Sequence, residues 1–239
     1  MYIIAGGDVR VKLVCRGIIK AAAVLILFFL CGWWGWQVKE TFYGVTPTQP
    51  SIILDAGHGG EDGGAVSLTG FKESDINLTI VLKLDQMLAF LGEPPLLVRD
   101  HDISLHGADA DTLRAKKVAD LKQRVSIADQ YQNAVFVSIH QNSYPDSRYH
   151  GTQVFYAPTD GSFQLAQRIQ QSVAHSLQPE NNRKEKQIPD SVYLLNHIRN
   201  KAVLIECGFL TNPEEEVLLR EESYQRKMST VLAAALSTR

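Results

Sequence analysis

Residues 51–60 read SIILDAGHGG, an apolar run that ends abruptly in glycines on both sides of one histidine. The run at 51–56 is short and rich in isoleucine and leucine, which is typical of a buried strand. The glycines that follow would let the backbone turn sharply directly after that strand. His58 is therefore predicted to lie just beyond the carboxyl end of a buried strand.

Similar short apolar runs recur along the chain and alternate with helical patterns. Further strands are predicted at 95–98, 134–140, 151–157, 191–195 and 202–206. Apolar residues at helical spacing predict helices over 74–91, 117–131, 162–177 and 224–236, and a proline opens another at 213. The segment 99–116 is predicted as a surface loop. The stretch that follows the helix at 162–177 and extends to residue 190 is predicted as polar and irregular. This alternation predicts an α/β domain with a largely parallel or mixed sheet.

Three residues in separate segments have the side chains of a metal site. His58 follows the first strand, Glu73 lies just before the helical pattern at 74–91, and His140 ends the run at 134–140. Two histidines and one glutamate are a common set of protein ligands for a catalytic zinc ion, leaving one position for water. Each also has a simpler alternative: a hydrogen-bonded polar histidine, or a carboxylate favoured at a helix N-terminus.

Glu206 closes the apolar run at 202–206, where a carboxylate needs either a partner or a function. In open α/β sheets, ligands bind beyond the carboxyl ends of the strands. His58, His140 and Glu206 are all predicted at or just past such ends, so we expect them at one edge of the sheet. The adjacent Cys207 is predicted as a small buried residue, with a nucleophile as the alternative.

Three more residues are candidates for supporting the site or for contacting substrate. Asp55 is predicted to accept a hydrogen bond from a ring nitrogen of a ligand histidine, or else to cap a turn. Asn142 and Arg124 are candidate substrate or supporting groups, and an ion pair on a helix surface is the alternative for Arg124.

The N-terminus differs in composition from the remainder. Four basic residues precede an uncharged stretch at 21–38, whose length is near the lower limit of the ~17–25 residues that span a membrane. We expect a membrane anchor at 1–39, with a cleaved signal segment as the alternative, then a linker at 40–50 and a catalytic domain at 51–239. Both alternatives place the domain outside the cytoplasm. The net charge of −2 gives no electrostatic argument for binding nucleic acid.

Four segments together resemble the zinc-dependent N-acetylmuramoyl-L-alanine amidases of the amidase-3 type. They are DAGHGG at 55–60, Glu73 with Asn77, SIHQN at 138–142 and ECGFLTN at 206–212. The resemblance extends from residue 51 to the C-terminus. It implies a single domain with a central six-stranded sheet flanked by helices, one zinc ion on His58, Glu73 and His140, and Glu206 as the catalytic acid and base.

The short chain, its N-terminal segment and the sequence DSVYLL at 190–195 are most similar to the CwlD-type amidases of spore formers. This similarity implies cleavage of the bond between N-acetylmuramic acid and L-alanine in peptidoglycan, in cortex maturation (formation of muramic δ-lactam) and germination. Two alternatives stay open: a zinc peptidase that cuts within the stem peptide, and a noncatalytic, membrane-tethered wall-binding module. The need for an activating partner protein also stays open.

Overall fold

The computed structural model describes residues 50–107 and 110–237, together with the helical residues 26 and 29. Within residues 50–237 the strands are β1 Ile52–Ala56, β2 Leu96–Leu97, β3 Val135–Asn142, β4 Gln153–Tyr156, β5 Lys186–Gln187 and β6 Ala202–Phe209. The helices are α1 Glu73–Phe90, α2 Leu113–Asp129, α3 Ser162–Ser176, α4 Tyr193–His197, α5 Pro213–Arg220 and α6 Glu222–Ser237.

The strands form one six-stranded sheet in the order β2-β1-β3-β6-β4-β5. All neighbouring strands are parallel except β4 and β6, which are antiparallel. The predicted α/β domain with a mixed six-stranded sheet is therefore confirmed. Because β1, β3 and β6 run in the same direction, their carboxyl ends lie at one edge of the sheet, where the candidate site residues were expected.

Successive residues of the central strands pack on opposite sides of the sheet, as the pleat requires. Val137 and Ile139 of β3 join a core with α1, α3 and α6, whereas Phe136 joins a second core with α2 and α4. Leu204 of β6 belongs to the second core. The same alternation places His140 and Glu206 on the α2 side of the sheet.

The strand predicted at 191–195 is wrong, because this segment forms the short helix α4. Leu194 and Leu195 are adjacent, and both are buried in the same core. One helical turn can bury two successive residues on one side, whereas a strand sends them to opposite sides. A short apolar run alone does not distinguish the two structures.

Two other features differ from the sequence prediction: the start of α2 and the presence of β5. Helix α2 begins at Leu113, inside the predicted loop, because the Thr112 hydroxyl accepts a hydrogen bond from the Ala115 amide at 3.1 Å and caps the helix. Strand β5 was not predicted; it is a two-residue edge strand with both side chains exposed. Such a strand has no hydrophobic pattern that could reveal it.

The predicted membrane or signal segment at 1–39 and the linker at 40–50 lie outside the described residues, except for positions 26, 29 and 50. Within the described part of the chain, no helix combines the length and apolar character needed to cross a bilayer.

Candidate metal centre and active site

The structure brings His58, Glu73 and His140 together at the carboxyl edge of the sheet. One ligand atom from each lies within 4.8 Å of the others. His58 Nε2 is 3.3 Å from Glu73 Oε2, and His140 Nδ1 is 2.9 Å from Glu73 Oε1. The two imidazole rings stand nearly perpendicular, with their centroids 4.9 Å apart. The loop after β1, the first turn of α1 and strand β3 each contribute one of these groups.

Two glycines pack closely against this cluster. A Cβ atom on Gly57 would lie 2.2 Å from the His140 ring, and one on Gly64 would lie 2.5 Å from Glu73 Oε2. No side chain fits at either position without displacing a candidate ligand. Two imidazole nitrogens and one carboxylate in this compact arrangement fit the donor set of a catalytic zinc ion. The cluster could therefore hold a metal ion of this kind.

His58 is held in an unusual backbone conformation by its loop. Its φ of 61° lies in the left-handed region, which non-glycine residues rarely adopt and which costs on the order of 1–3 kcal/mol. Its Nδ1 lies 2.9 Å from Asp62 Oδ2, which leaves Nε2 directed at Glu73. Burial lowers the pKa of His58, but hydrogen bonds to Asp62 and Glu73 raise it to about 9. Asp62 therefore fixes the orientation of the ring, as a carboxylate partner does for many metal-ligating histidines.

Two buried arginines hold the backbone on either side of His58. Arg124 donates to the carbonyls of Ala56 at 3.0 Å and His58 at 2.8 Å. Arg99 donates to the carbonyls of Ala56 at 2.8 Å and Gly57 at 3.1 Å. Because these carbonyls cannot accept sheet hydrogen bonds beyond the end of β1, the guanidinium groups satisfy them. They fix the turn that carries the candidate ligand.

Glu73 is oriented by groups from three segments. Oε2 accepts from the Ala65 amide at 2.9 Å, and Oε1 accepts from the Gln141 amide at 3.1 Å and from Asn77 Nδ2 at 3.3 Å. Burial would raise the pKa of Glu73, but hydrogen bonds with His140 and His58 outweigh it and hold this pKa well below its usual value. Glu73 is thus ionised at neutral pH, which a metal ligand requires.

Glu206 lies beside this cluster on the neighbouring strand. It is paired in register with His140, across β3 and β6. Its Oε2 atom is buried and has no hydrogen-bond partner among the described residues. Burial raises the pKa of Glu206 to about 7, although the positive field of His140 opposes this. A carboxyl group with a pKa near neutrality can accept a proton and release it again at neutral pH.

The expected role of Asp55 as partner of a ligand histidine is wrong. Its two oxygens instead meet Arg124 Nη1 and Ser138 Oγ, the latter at 2.7 Å. The pleat directs Asp55 from β1 toward Arg124 of α2. Asp62 has the role that was assigned to Asp55. The only sequence signal for it was an acidic residue four positions after His58.

The structure also shows where the remaining predicted site residues lie. Arg124 forms an ion pair, but it is buried beneath the site and not on a helix surface, with 1% of its area exposed. Asn142 ends β3, and its carbonyl accepts from the Leu210 amide at 2.8 Å. Cys207 is fully buried in the core, where burial raises the pKa of its thiol, as expected of a structural cysteine.

A mixed α/β sheet that carries a His–Glu–His cluster able to hold a metal ion, beside a carboxylate with a buried oxygen, is the arrangement typical of metal-dependent hydrolases. The family model for N-acetylmuramoyl-L-alanine amidases, Amidase_3, matches residues 52–238. The chain therefore belongs to this family, and its predicted class as an amidase enzyme is confirmed.

Individual relatives agree with the family. The chain is 33% identical over 180 residues to the germination-specific N-acetylmuramoyl-L-alanine amidase of Bacillus subtilis (strain 168), covering 75% of each protein. The CwlD amidase from Clostridioides difficile, solved in complex with the GerS lipoprotein, is 39% identical with a TM-score of 0.74. That match covers 78% of this chain and 96% of the other. AmiC2 of Nostoc punctiforme is 27% identical with a TM-score of 0.64, covering 77% and 93%. The predicted resemblance to the CwlD type is confirmed.

Proposed function

We propose that Glu206 transfers the protons of the amidase reaction beside one zinc ion held by His58, Glu73 and His140. The observation that supports this most directly is the position of Glu206. It adjoins His140 across two strands, and one of its buried oxygens lacks a hydrogen-bond partner among the described residues. A buried carboxylate oxygen without a partner is costly, so its retention beside a ligand cluster favours a catalytic role.

The bond to be cleaved joins the lactyl carboxyl group of N-acetylmuramic acid to L-alanine. A zinc ion held in this cluster would supply Lewis-acid chemistry, activating water and polarising the scissile carbonyl. Glu206 accepts the proton that the attacking water releases. It then returns this proton to the departing nitrogen, which must be protonated before it can leave as an amine. Asp62, Asn77 and the Gln141 amide keep the candidate ligands in place during both steps.

The biological setting that we propose is spore cortex maturation and germination, on the extracytoplasmic side of a bacterial membrane. The similarity to a germination-specific amidase and to CwlD supports this setting. The uncharged N-terminal stretch supports attachment to the membrane, or secretion if that segment is cleaved. Because CwlD was solved in complex with a lipoprotein, we also propose that this chain works with a partner protein of that class.

The experiment is digestion of defined peptidoglycan by the full-length chain, with and without zinc, followed by mass spectrometry. An amidase releases intact stem peptides and leaves muramic acid without a peptide. Shortened stem peptides would instead identify a peptidase, and an unchanged substrate would favour a wall-binding module or an absent partner. Glu206→Gln should retain zinc and lose turnover, whereas His140→Ala should lose zinc. Zinc retained at full occupancy by His140→Ala would contradict the ligand assignment.

A further inference from the structure

A pocket of about 610 Å³ opens between the loop that joins β3 to β4 and the loop that precedes β5. Its lining includes Tyr149, His150, Glu180 and Arg183. The proposed reaction assigns no role to these residues. Because β4 and β5 run opposite to β6, their first residues lie at the same sheet edge as the last residues of β6.

The pocket lies within reach of the candidate catalytic carboxylate. Strand β6 continues from Glu206 to Phe209, a distance of roughly 10 Å at ~3.3 Å per residue. The Phe209 ring contacts both sides of the pocket: it is 6.2 Å from the Tyr149 ring and 4.7 Å from the Arg183 guanidinium carbon. An extended peptide spans ~3.3–3.6 Å per residue. A substrate held at Glu206 therefore reaches this pocket with its second or third amino acid.

Arg183 is fixed in position before any ligand arrives. Its guanidinium group lies over the rings of Phe209 and Tyr149, at 4.7 and 5.7 Å from their centroids. Its Nε donates to the His150 carbonyl at 2.7 Å. Among residues 50–107 and 110–237, Arg183 has no ion pair with a carboxylate. Stacking on aromatic rings orders the guanidinium plane, so little conformational entropy is lost when it binds a ligand.

None of the nearby described carboxylates forms an ion pair with Arg183. Asp146 is paired with Arg148, with 2.6 Å between Oδ2 and Nη2. Glu215 accepts from the amides of Gly151 and Phe209, and its charge interacts with Arg183 without direct contact between the two groups. Glu180 lies on the exposed rim, where solvent and salt screen its charge. The half-buried Arg183 is therefore the fixed charge that a ligand in this pocket would meet.

We propose that the Arg183 pocket binds a free carboxylate of the stem peptide, two or three residues beyond the scissile amide. This inference rests on the proposed function, since it assumes that peptidoglycan is held at Glu206. The glycan presents hydroxyl and acetamido groups, whereas the stem peptide carries free carboxylates. A carboxylate matches the paired donors of a guanidinium group, which bind it in a bidentate arrangement.

The test measures binding to the full-length Glu206→Gln variant, which should not consume its ligand. Calorimetry compares a disaccharide-tripeptide fragment that has free carboxylates with the same fragment after amidation. We expect about tenfold tighter binding of the free form, the equivalent of one charge-assisted hydrogen bond. Adding Arg183→Gln should abolish this difference while leaving the affinity for the amidated fragment unchanged. That unchanged affinity separates loss of the charge from loss of the fold.

The matched control is Arg226→Gln in the same background. It removes one positive charge from an exposed ion pair with Glu222 on α6, so the tenfold preference should persist. Equal binding of the two fragments before Arg183 is changed, or no binding of either, would overturn the inference. An equal loss of binding affinity for both fragments in the Arg183→Gln variant would also overturn the inference.

The two proposals can fail separately. The pocket would be retained and the catalytic assignment refuted if the Glu206→Gln variant discriminates between the fragments but the chain with Glu206 intact releases no stem peptide, even with a lipoprotein partner added. Cleavage by a chain that does not discriminate would refute the pocket alone.

Discussion

Replacing Arg124 by methionine tests whether a buried charge network supports the candidate site. Arg124 pairs with Asp55, which is fully buried, and with Asp120, at 2.6 Å between Nε and Oδ2. It also donates to the carbonyls of Ala56 and His58. Methionine preserves much of the side-chain volume but removes every donor. The Asp55 carboxylate would then be left buried without its cation.

The expected cost follows from these contacts. Removing one partner of a buried ion pair destabilises a protein by about 3–5 kcal/mol, because the remaining charge is uncompensated. Domains unfold with free energies of about 5–15 kcal/mol, so this loss is a large fraction of the total. At about 2–4 °C per kcal/mol for a domain of this size, Tm should fall by roughly 6–20 °C. Adding Asp55→Asn should recover part of the loss, because it removes the unpaired charge.

The assay is urea and thermal unfolding of the full-length variants, both followed by far-ultraviolet circular dichroism. The control is Arg226→Met, which disrupts an exposed ion pair and should cost less than about 1 kcal/mol. If Arg124→Met costs no more than Arg226→Met, the ion pair does not stabilise the domain and the reasoning fails. Further destabilisation by the added Asp55→Asn would also refute it, since the charge would then not be the cause.

Three further predictions concern the site. Gly57→Ala should lower zinc affinity at least tenfold, because its Cβ would lie 2.2 Å from the His140 ring, and chelator competition would measure this loss. The control is Gly107→Ala, where a Cβ meets nothing within 4 Å, and it should leave zinc affinity unchanged. Glu216→Ala should cost about 1–3 kcal/mol and speed amide hydrogen exchange over residues 65–72, because it removes the buried oxygen that accepts hydrogen bonds from the Ser67 and Thr69 hydroxyls of that loop; unchanged exchange there would contradict the role. Removing metal with a chelator should abolish amidase activity and added zinc should restore it, whereas full activity of the metal-free chain would exclude the proposed zinc mechanism.

Much of the fold was predictable because its signals are local. The runs that became β1, β3 and β6 are apolar, short and followed by polar residues, and the helices between them show regular spacing. The segment at 191–195 lacked such a signal, because five residues are too few to show a period. Strand β5 lacked one because its exposed edge position imposes no hydrophobic pattern.

The same distinction holds for the site. His58, His140 and Glu206 could be expected together, since parallel strands bring their carboxyl ends to one edge. The position of strand ends could not show which carboxylate forms a hydrogen bond with His58, because Asp55 and Asp62 are both near it in sequence. Only the direction of the Asp55 side chain, toward Arg124 and Ser138, decides between them.

The sequence by itself determined the central strands, most of the helices, the residues able to bind a metal ion and the family to which they belong. These depend on residue type, spacing and position relative to strand ends, all of which are properties of neighbouring residues. The tertiary structure alone decided that Arg124 is buried beneath the His58 loop and that the Arg183 guanidinium group lies over the rings of Tyr149 and Phe209. Those positions arise from packing between segments far apart in the chain. Arg124 and Asp55, for example, are 69 positions apart, and local sequence patterns do not reveal such contacts.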